Sequence, residues 1–165
     1  MEKVCFLGNP DDQRADFLKG LAEQNIRIDI FGNSWKKFIQ AKGVTLYPPV
    51  YGDELWMVLR RYRAQLNMMR IHNENSHNMR SFEVPGVGGI MVAPDTTEHR
   101  MFFKDGEEVF LYKDIEGCAA MMRQILSLSP GAAGQIRQAA RKASLEHGYQ
   151  YKNRAVFALE TIKSI

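Results

Sequence analysis

Between residues 75 and 92 the chain reads NSHNMRSFEVPGVGGIMV, and side chains able to do polar chemistry crowd its front: Asn75, Ser76, His77, Asn78, Arg80 and Glu83. Asn78 stands where a short helix would begin, with the free N–H groups of a first helical turn behind it. Arg80 adds a fork of donors suited to phosphate. Glu83, one turn further, is a carboxylate able to accept two hydrogen bonds from a vicinal diol such as the ribose hydroxyls. Each residue also has a plainer role open to it: helix cap, surface cation, helix-start carboxylate. Together, in the turn between a strand and a helix, they point to a sugar or nucleotide site.

A second group lies near the N-terminus. Gly8-Asn9-Pro10 connects an apolar strand to a helix, and a glycine there lets phosphates approach the backbone at an anion-attracting helix start. Arg14, one turn into that helix, is placed to reach the same space. A tight turn with a solvated arginine is the alternative. Neither G-x-G-x-x-G nor G-x-x-x-x-G-K-[ST] occurs in that turn. Gly86-Val87-Gly88-Gly89 precedes a strand instead of following one, so it reads as a helix stop and tight turn.

These groups need a scaffold. Short apolar runs at Val4–Leu7, Ile26–Phe31, Val44–Tyr47, Leu66–Ile71, Ile90–Ala93 and Val109–Tyr112 read as strands. Helical patterns fall between them at about 11–24, 34–41, 53–65, 79–87 and 97–106. Three more follow at 114–127, 130–147 and 151–162. Six alternations with strands apolar on both faces predict one doubly wound, Rossmann-like α/β domain of three layers over residues 1–165, with a six-stranded parallel sheet and helices on both faces. Ligands of such folds bind outside the carboxyl ends of the strands, at the switch point of the strand order. That directs attention to the loops at 8–14, 32–35, 47–53, 72–80 and 93–97, including the His72–Asn78 loop after the fourth strand.

The 165 residues are 45% hydrophobic and 25% charged, values of an ordinary globular domain. A net charge of +3 suits a phosphate-bearing ligand, and the scattered Lys and Arg offer no basic stripe for nucleic acid. Arg60-Arg61-Tyr62-Arg63, the densest basic cluster, reads as the solvated face of a helix. Cys5 and Cys118 sit in apolar contexts and read as buried free thiols of a reducing compartment. Their spacing suits no zinc site, and no apolar run approaches a membrane span. The expected location is the cytoplasm, including a peripheral position at the inner membrane.

The segment NMRSFEVPGVGGIMVAPDTTEHRMFFKDGEEVFLYKDIEGCAAMMRQIL resembles the C-terminal half of group 1 glycosyltransferases, nearest to the spore-maturation-type branch. The pattern is carried by Asn78, Arg80, Phe82, Glu83, Gly88, Glu98, Gly106 and Glu108, with looser likeness before residue 70. The resemblance implies one half of a GT-B fold, the half that binds a nucleotide-diphosphate sugar. It implies that Glu83 holds the ribose, that the Gly8 loop and the helix start at Asn78 face the diphosphate, and that the Tyr51-Gly52 loop lies near the base. The resulting candidate donor-binding residues are Gly8, Asn9, Arg14, Tyr51, His72, Asn78, Arg80 and Glu83. No catalytic residue is assigned, and no metal or other cofactor is expected.

Many group 1 enzymes carry a second glutamate eight positions before the ribose-binding one. Asn75 stands there in this chain, with Glu74 beside it. The resemblance further implies that a glycan or other acceptor binds through an N-terminal domain. The chain alone would then bind donor without transferring it. Tyr151, Val156, Phe157, Leu159 and Ile162 of the last helix would dock on that domain or pair in a homodimer. A non-catalytic Rossmann-like binding or assembly module is the alternative. A receiver-type signalling domain shares the alternating pattern, but no aspartate ends the third strand.

Overall fold

The computed structural model describes residues 2–73 and 75–163, so Glu74 lies outside the described residues. Six strands form one all-parallel sheet in the order β3-β2-β1-β4-β5-β6. They are β1 Val4–Leu7, β2 Ile28–Phe31, β3 Val44–Tyr47, β4 Ala64–Leu66, β5 Met91–Pro94 and β6 Phe110–Tyr112. The helices are α1 Asp12–Glu23, α2 Gly52–Arg61, α3 Met79–Gly86, α4 Thr97–Phe102, α5 Ile115–Ser127, α6 Pro130–Glu146 and α7 Tyr151–Lys163. This is the doubly wound α/β architecture expected from the alternation.

Strand residues alternate between two cores because successive side chains point to opposite faces. Val4, Phe6, Ile28, Ile30, Leu66, Ile90 and Val92 pack with α1 and α5, through Leu18, Leu21, Cys118, Met122 and Ile125. Cys5, Leu7, Phe31, Met91, Ala93 and Leu111 pack on the other face with α2 and α3, through Leu55, Leu59 and Val84. Both faces are covered along the other strands, as a parallel sheet requires, while the edge strand β3 leaves Thr45 and Tyr47 exposed. Cys5 and Cys118 are buried free thiols, and burial raises the pKa of each.

The strand order reverses direction between β1 and β4. The loops that leave their carboxyl ends, 8–11 and 67–78, therefore flank the switch point. Here the structure corrects the expectation. The fourth strand is Ala64–Leu66, not Leu66–Ile71. Its ladder stops because the Asn67 and Met68 carbonyls accept side-chain hydrogen bonds, from the Tyr112 hydroxyl at 3.3 Å and from Arg14 Nη2 at 2.9 Å. The apolar run to Ile71 misled the sequence reading. Met68 is buried, but Ile71 is exposed in a 3₁₀ turn over Ile71–Asn73.

The basic cluster differs as well. α2 ends at Arg61, and Tyr62 is extended and buried, its hydroxyl donating to Asp29 Oδ2 at 2.7 Å. Arg63 is also buried, donating to the Leu128 carbonyl and to Glu2. Only Arg60 and Arg61 form the solvated face. The helix expected over 34–41 is a single 3₁₀ turn, Trp35–Lys37, entered through Ser34 at φ 63. α4 stops at Phe102, well before Gly106.

α7 carries no buried residue. Tyr151, Val156, Phe157, Leu159 and Ile162 are all exposed.

Candidate functional site

α3 begins at the switch point, and its start is built by the sequence around Asn78. The Asn78 side chain accepts from the Ser81 N–H at 3.2 Å, and the Ser81 hydroxyl accepts from the Asn78 N–H at 3.1 Å. This reciprocal cap satisfies the third N–H of the helix. The N–H groups of Met79 and Arg80, in the first helical turn, lie outside the helical ladder. No acidic residue occupies the first turn of α3. α1 is different: its cap is Asp11, which accepts from the Arg14 N–H at 2.9 Å, and Asp12 follows in the first turn. Two carboxylates at that positive end disfavour an anion there, whereas the start of α3 is free to attract one.

Arg80 leans from α3 over a crevice of about 160 Å³ at the carboxyl ends of β1, β2 and β3, whose walls include Gly8, Asn9, Gly32, Val50 and Tyr51. Arg80 Nη1 is ion-paired with Glu83 Oε2 one turn along the helix, and Arg80 Nε has no partner among the described residues. α3 also borders a larger cleft of about 540 Å³. It is walled by Trp56, Met79, Phe82, Val87, Leu145, Tyr149 and Tyr151, with His77, Asn78 and Glu83 among its polar groups. Its volume lies in the range of small-molecule sites. α3 thus contributes to two cavities, and the Arg80–Glu83 pair joins a lining residue of one to a lining residue of the other.

The structure places the sequence-derived residues unevenly. Gly8, Asn9, Tyr51 and Arg80 share the small crevice, and Asn78 and Glu83 border the larger cleft. Gly8 offers close approach, not a donor, because its N–H is bonded to the Phe31 carbonyl and its carbonyl accepts from Trp35 Nε1 at 2.7 Å. Asn9 Oδ1 accepts from the Asn33 N–H. Arg14 is buried against the Phe6 ring. Its guanidinium donates to the Asn9 carbonyl at 3.1 Å and the Met68 carbonyl at 2.9 Å. It braces one loop from each side of the switch point. His72 is exposed on the 3₁₀ turn and lines neither cavity. Asn75 is exposed in the turn that follows.

Four polar residues went unread in the sequence as parts of this site. Ser81, His99, Asn67 and Thr96 are all buried beneath the start of α3. Asn-x-x-Ser at 78–81 and Thr-x-x-His at 96–99 are the local signals for two of them, since each places a cap beside the backbone N–H three residues on. Glu98 clamps the 67–78 loop to α4: it accepts from the Ser76 hydroxyl at 2.7 Å and pairs with His77 Nδ1. The Ser76 bond and then the His77 bond hold its carboxyl below the usual range. The His77 ring packs edge-on against Phe82 and Phe102. No group of three or more metal-type side chains gathers among the described residues.

A profile of the family described as glycosyl transferase-like matches residues 13–160. The chain belongs to this glycosyl transferase-like family. No curated protein sequence matches it. Among solved structures it is similar to Anabaena HepE in complex with UDP and glucose, with TM-score 0.80 and 10% identity over 98% of this chain and 48% of that one. It is also similar to the pneumococcal O-GlcNAc transferase GtfA in complex with UDP and GlcNAc, with TM-score 0.69 and 16% identity over 98% and 35%. A third is a mutant of S. aureus TarM in complex with fondaparinux, alpha-GlcNAc-glycerol and UDP, with TM-score 0.67 and 15% identity over 94% and 34%. At these identities the likeness is one of fold. The glycosyl transferase-like chain spans a third to a half of each of these proteins. No helix among its described residues is long and apolar enough to cross a membrane.

Proposed function

We propose that this glycosyl transferase-like domain binds the nucleotide-diphosphate sugar donor of a glycosyltransferase. One observation carries the reading: an Asn-capped helix start without acidic residues in its first turn, from which Arg80 reaches the switch-point crevice. A diphosphate over this position receives the N–H groups of Met79 and Arg80, the field of the helix and the Arg80 guanidinium. Glu83 accepts the ribose hydroxyls, and the base extends toward Tyr51. Arg14, through its bonds to the Asn9 and Met68 carbonyls, holds the two loops at the spacing the diphosphate needs. The UDP named in the HepE, GtfA and TarM complexes supports a nucleotide diphosphate as the ligand class.

Sugar transfer requires stabilisation of the departing nucleoside diphosphate, and fixed donors at a helix start supply that without reorganising. In this reading the acceptor site belongs to an N-terminal domain. The exposed stripe of Tyr151, Val156, Phe157, Leu159 and Ile162 is where that domain docks, or where a second copy pairs. The resemblance carried by residues 78–108 supports the spore-maturation-type branch as the nearest within the family. A binding or assembly module without transfer activity is the second reading, favoured by Asn75 in place of the second glutamate. Calorimetry with UDP and uridine tests the donor site. Tight UDP binding that weakens with salt, with uridine far weaker, is the expected result. Equal affinity for both would remove the phosphate role from the α3 start.

A further inference from the structure

We propose that Ser81 and His99 are positioning residues for the nucleotide site, orienting the first turn of α3 through a one-way chain of buried hydrogen bonds. The proposal rests on the donor-binding reading above. Ser81 and His99 are both fully buried. The Pro94 carbonyl, 2.8 Å from His99 Nδ1, is an acceptor only, so Nδ1 carries a proton. Ser81 Oγ accepts from the Asn78 N–H at 3.1 Å and from Asn67 Nδ2 at 3.1 Å, which fills both of its lone pairs. Its remaining contact is His99 Nε2 at 2.8 Å, and its own proton must point there. His99 is therefore neutral, with its proton on Nδ1 and its Nε2 lone pair facing the serine.

This direction has a consequence for the helix start. Asn78 Nδ2 donates to Asn67 Oδ1 at 2.8 Å, closing a ring through Asn67, Ser81 and Asn78. Asn67 is in turn fixed to β5 by its N–H on the Val92 carbonyl at 2.7 Å. The ring needs both lone pairs of Ser81 Oγ, and the His99 Nε2 acceptor holds the serine proton clear of them. His99 thereby sets the orientation of the Asn78 cap, and with it the Met79 and Arg80 N–H groups that would meet the diphosphate. A substitution at His99 alters no group that touches the ligand, yet it turns the donors that do.

The test pairs His99→Leu, which removes the acceptor facing Ser81, with His99→Gln, whose amide oxygen can restore it. UDP affinity of the folded variants is read by titration, and the ring nitrogens of wild-type His99 by long-range ¹H–¹⁵N correlation near neutral pH. His99→Leu should weaken UDP about ten-fold, the effect of one misdirected hydrogen bond. His99→Gln should recover most of that loss, and the spectrum should show a neutral ring protonated at Nδ1. A role in stability alone would lower the melting temperature of both variants and leave the affinity of the folded protein unchanged. Wild-type affinity in folded His99→Leu, or a proton on Nε2 in the wild-type spectrum, would overturn the proposal. The spectrum decides even if neither variant folds. Absence of UDP binding by the wild type would instead sink the donor reading on which the proposal stands.

Discussion

Replacing Glu83 with alanine should separate ribose binding from helix stability. The carboxylate is 10% exposed and the Arg80 side chain paired with it 27% exposed, one turn apart on α3. A partly solvated pair at this spacing contributes about 0.5 kcal/mol and no more than about 1 kcal/mol. In a domain of this size that lowers the melting temperature by about 4 °C at most. Binding should suffer more. A carboxylate accepting hydrogen bonds from a ribose diol contributes about 1.5–3 kcal/mol, so UDP affinity should fall about 10- to 150-fold. Arg80, released from its partner, could turn fully to the phosphates and offset part of that loss. The assay therefore compares UDP with 2′-deoxy-UDP by calorimetry in both proteins. Wild type should prefer the ribonucleotide, and Glu83→Ala should lose the preference, because any gain at Arg80 is common to both ligands. An unchanged preference in Glu83→Ala would refute the ribose assignment.

Three further outcomes are expected. Gly32→Ala would put a Cβ 2.2 Å from the Gly8 carbonyl oxygen and 2.8 Å from Trp35 Nε1, so it should cost about 1–3 kcal/mol in chemical denaturation and weaken UDP by moving the Gly8–Asn9 turn. Arg14→Met keeps the aliphatic bulk but strips the charged donor from the Asn9 and Met68 carbonyls; a loss of about 2–3 kcal/mol should appear in urea unfolding. Stability should also fall as the pH drops below about 6.5, the ordinary histidine value. Burial depresses the pKa of folded His99, so the unfolded chain binds the extra proton first. His77 opposes charging of His99, while Glu98 and Asp95 favour it only partly against burial, and the melting temperature of His99→Gln should show a shallower slope between pH 7 and 5 than wild type.

The sheet was legible because its strands are short apolar runs bounded by Gly, Pro and Asn, and burial on both faces leaves no other reading for so many of them. The fourth strand was misplaced because Met68, Met69 and Ile71 continue the apolar run. What stops the ladder is Arg14 and Tyr112, 54 and 45 residues away in sequence from the carbonyls they bind. Asn78, Arg80 and Glu83 were legible as a group because cap, cation and carboxylate lie within two turns of one helix. The bracing role of Arg14 was not, since an arginine one turn into a helix looks the same in sequence whether it faces solvent or two buried carbonyls. Nor was the Asn67–Ser81–His99 chain, because its members come from three separate elements joined only by the fold.

The central claim is that the start of α3 and the Gly8 crevice together receive a nucleoside diphosphate. Titrating the ¹⁵N-labelled chain with UDP, GDP and ADP and following every backbone amide tests it most directly. Saturable shifts with at least one of the three should concentrate at Gly8, Asn9, Tyr51 and Asn78–Glu83, with Met79 and Arg80 moving furthest. They should leave α5 still. Saturation with no shift at residues 78–83, or no response to any of the three nucleotides, would contradict the account.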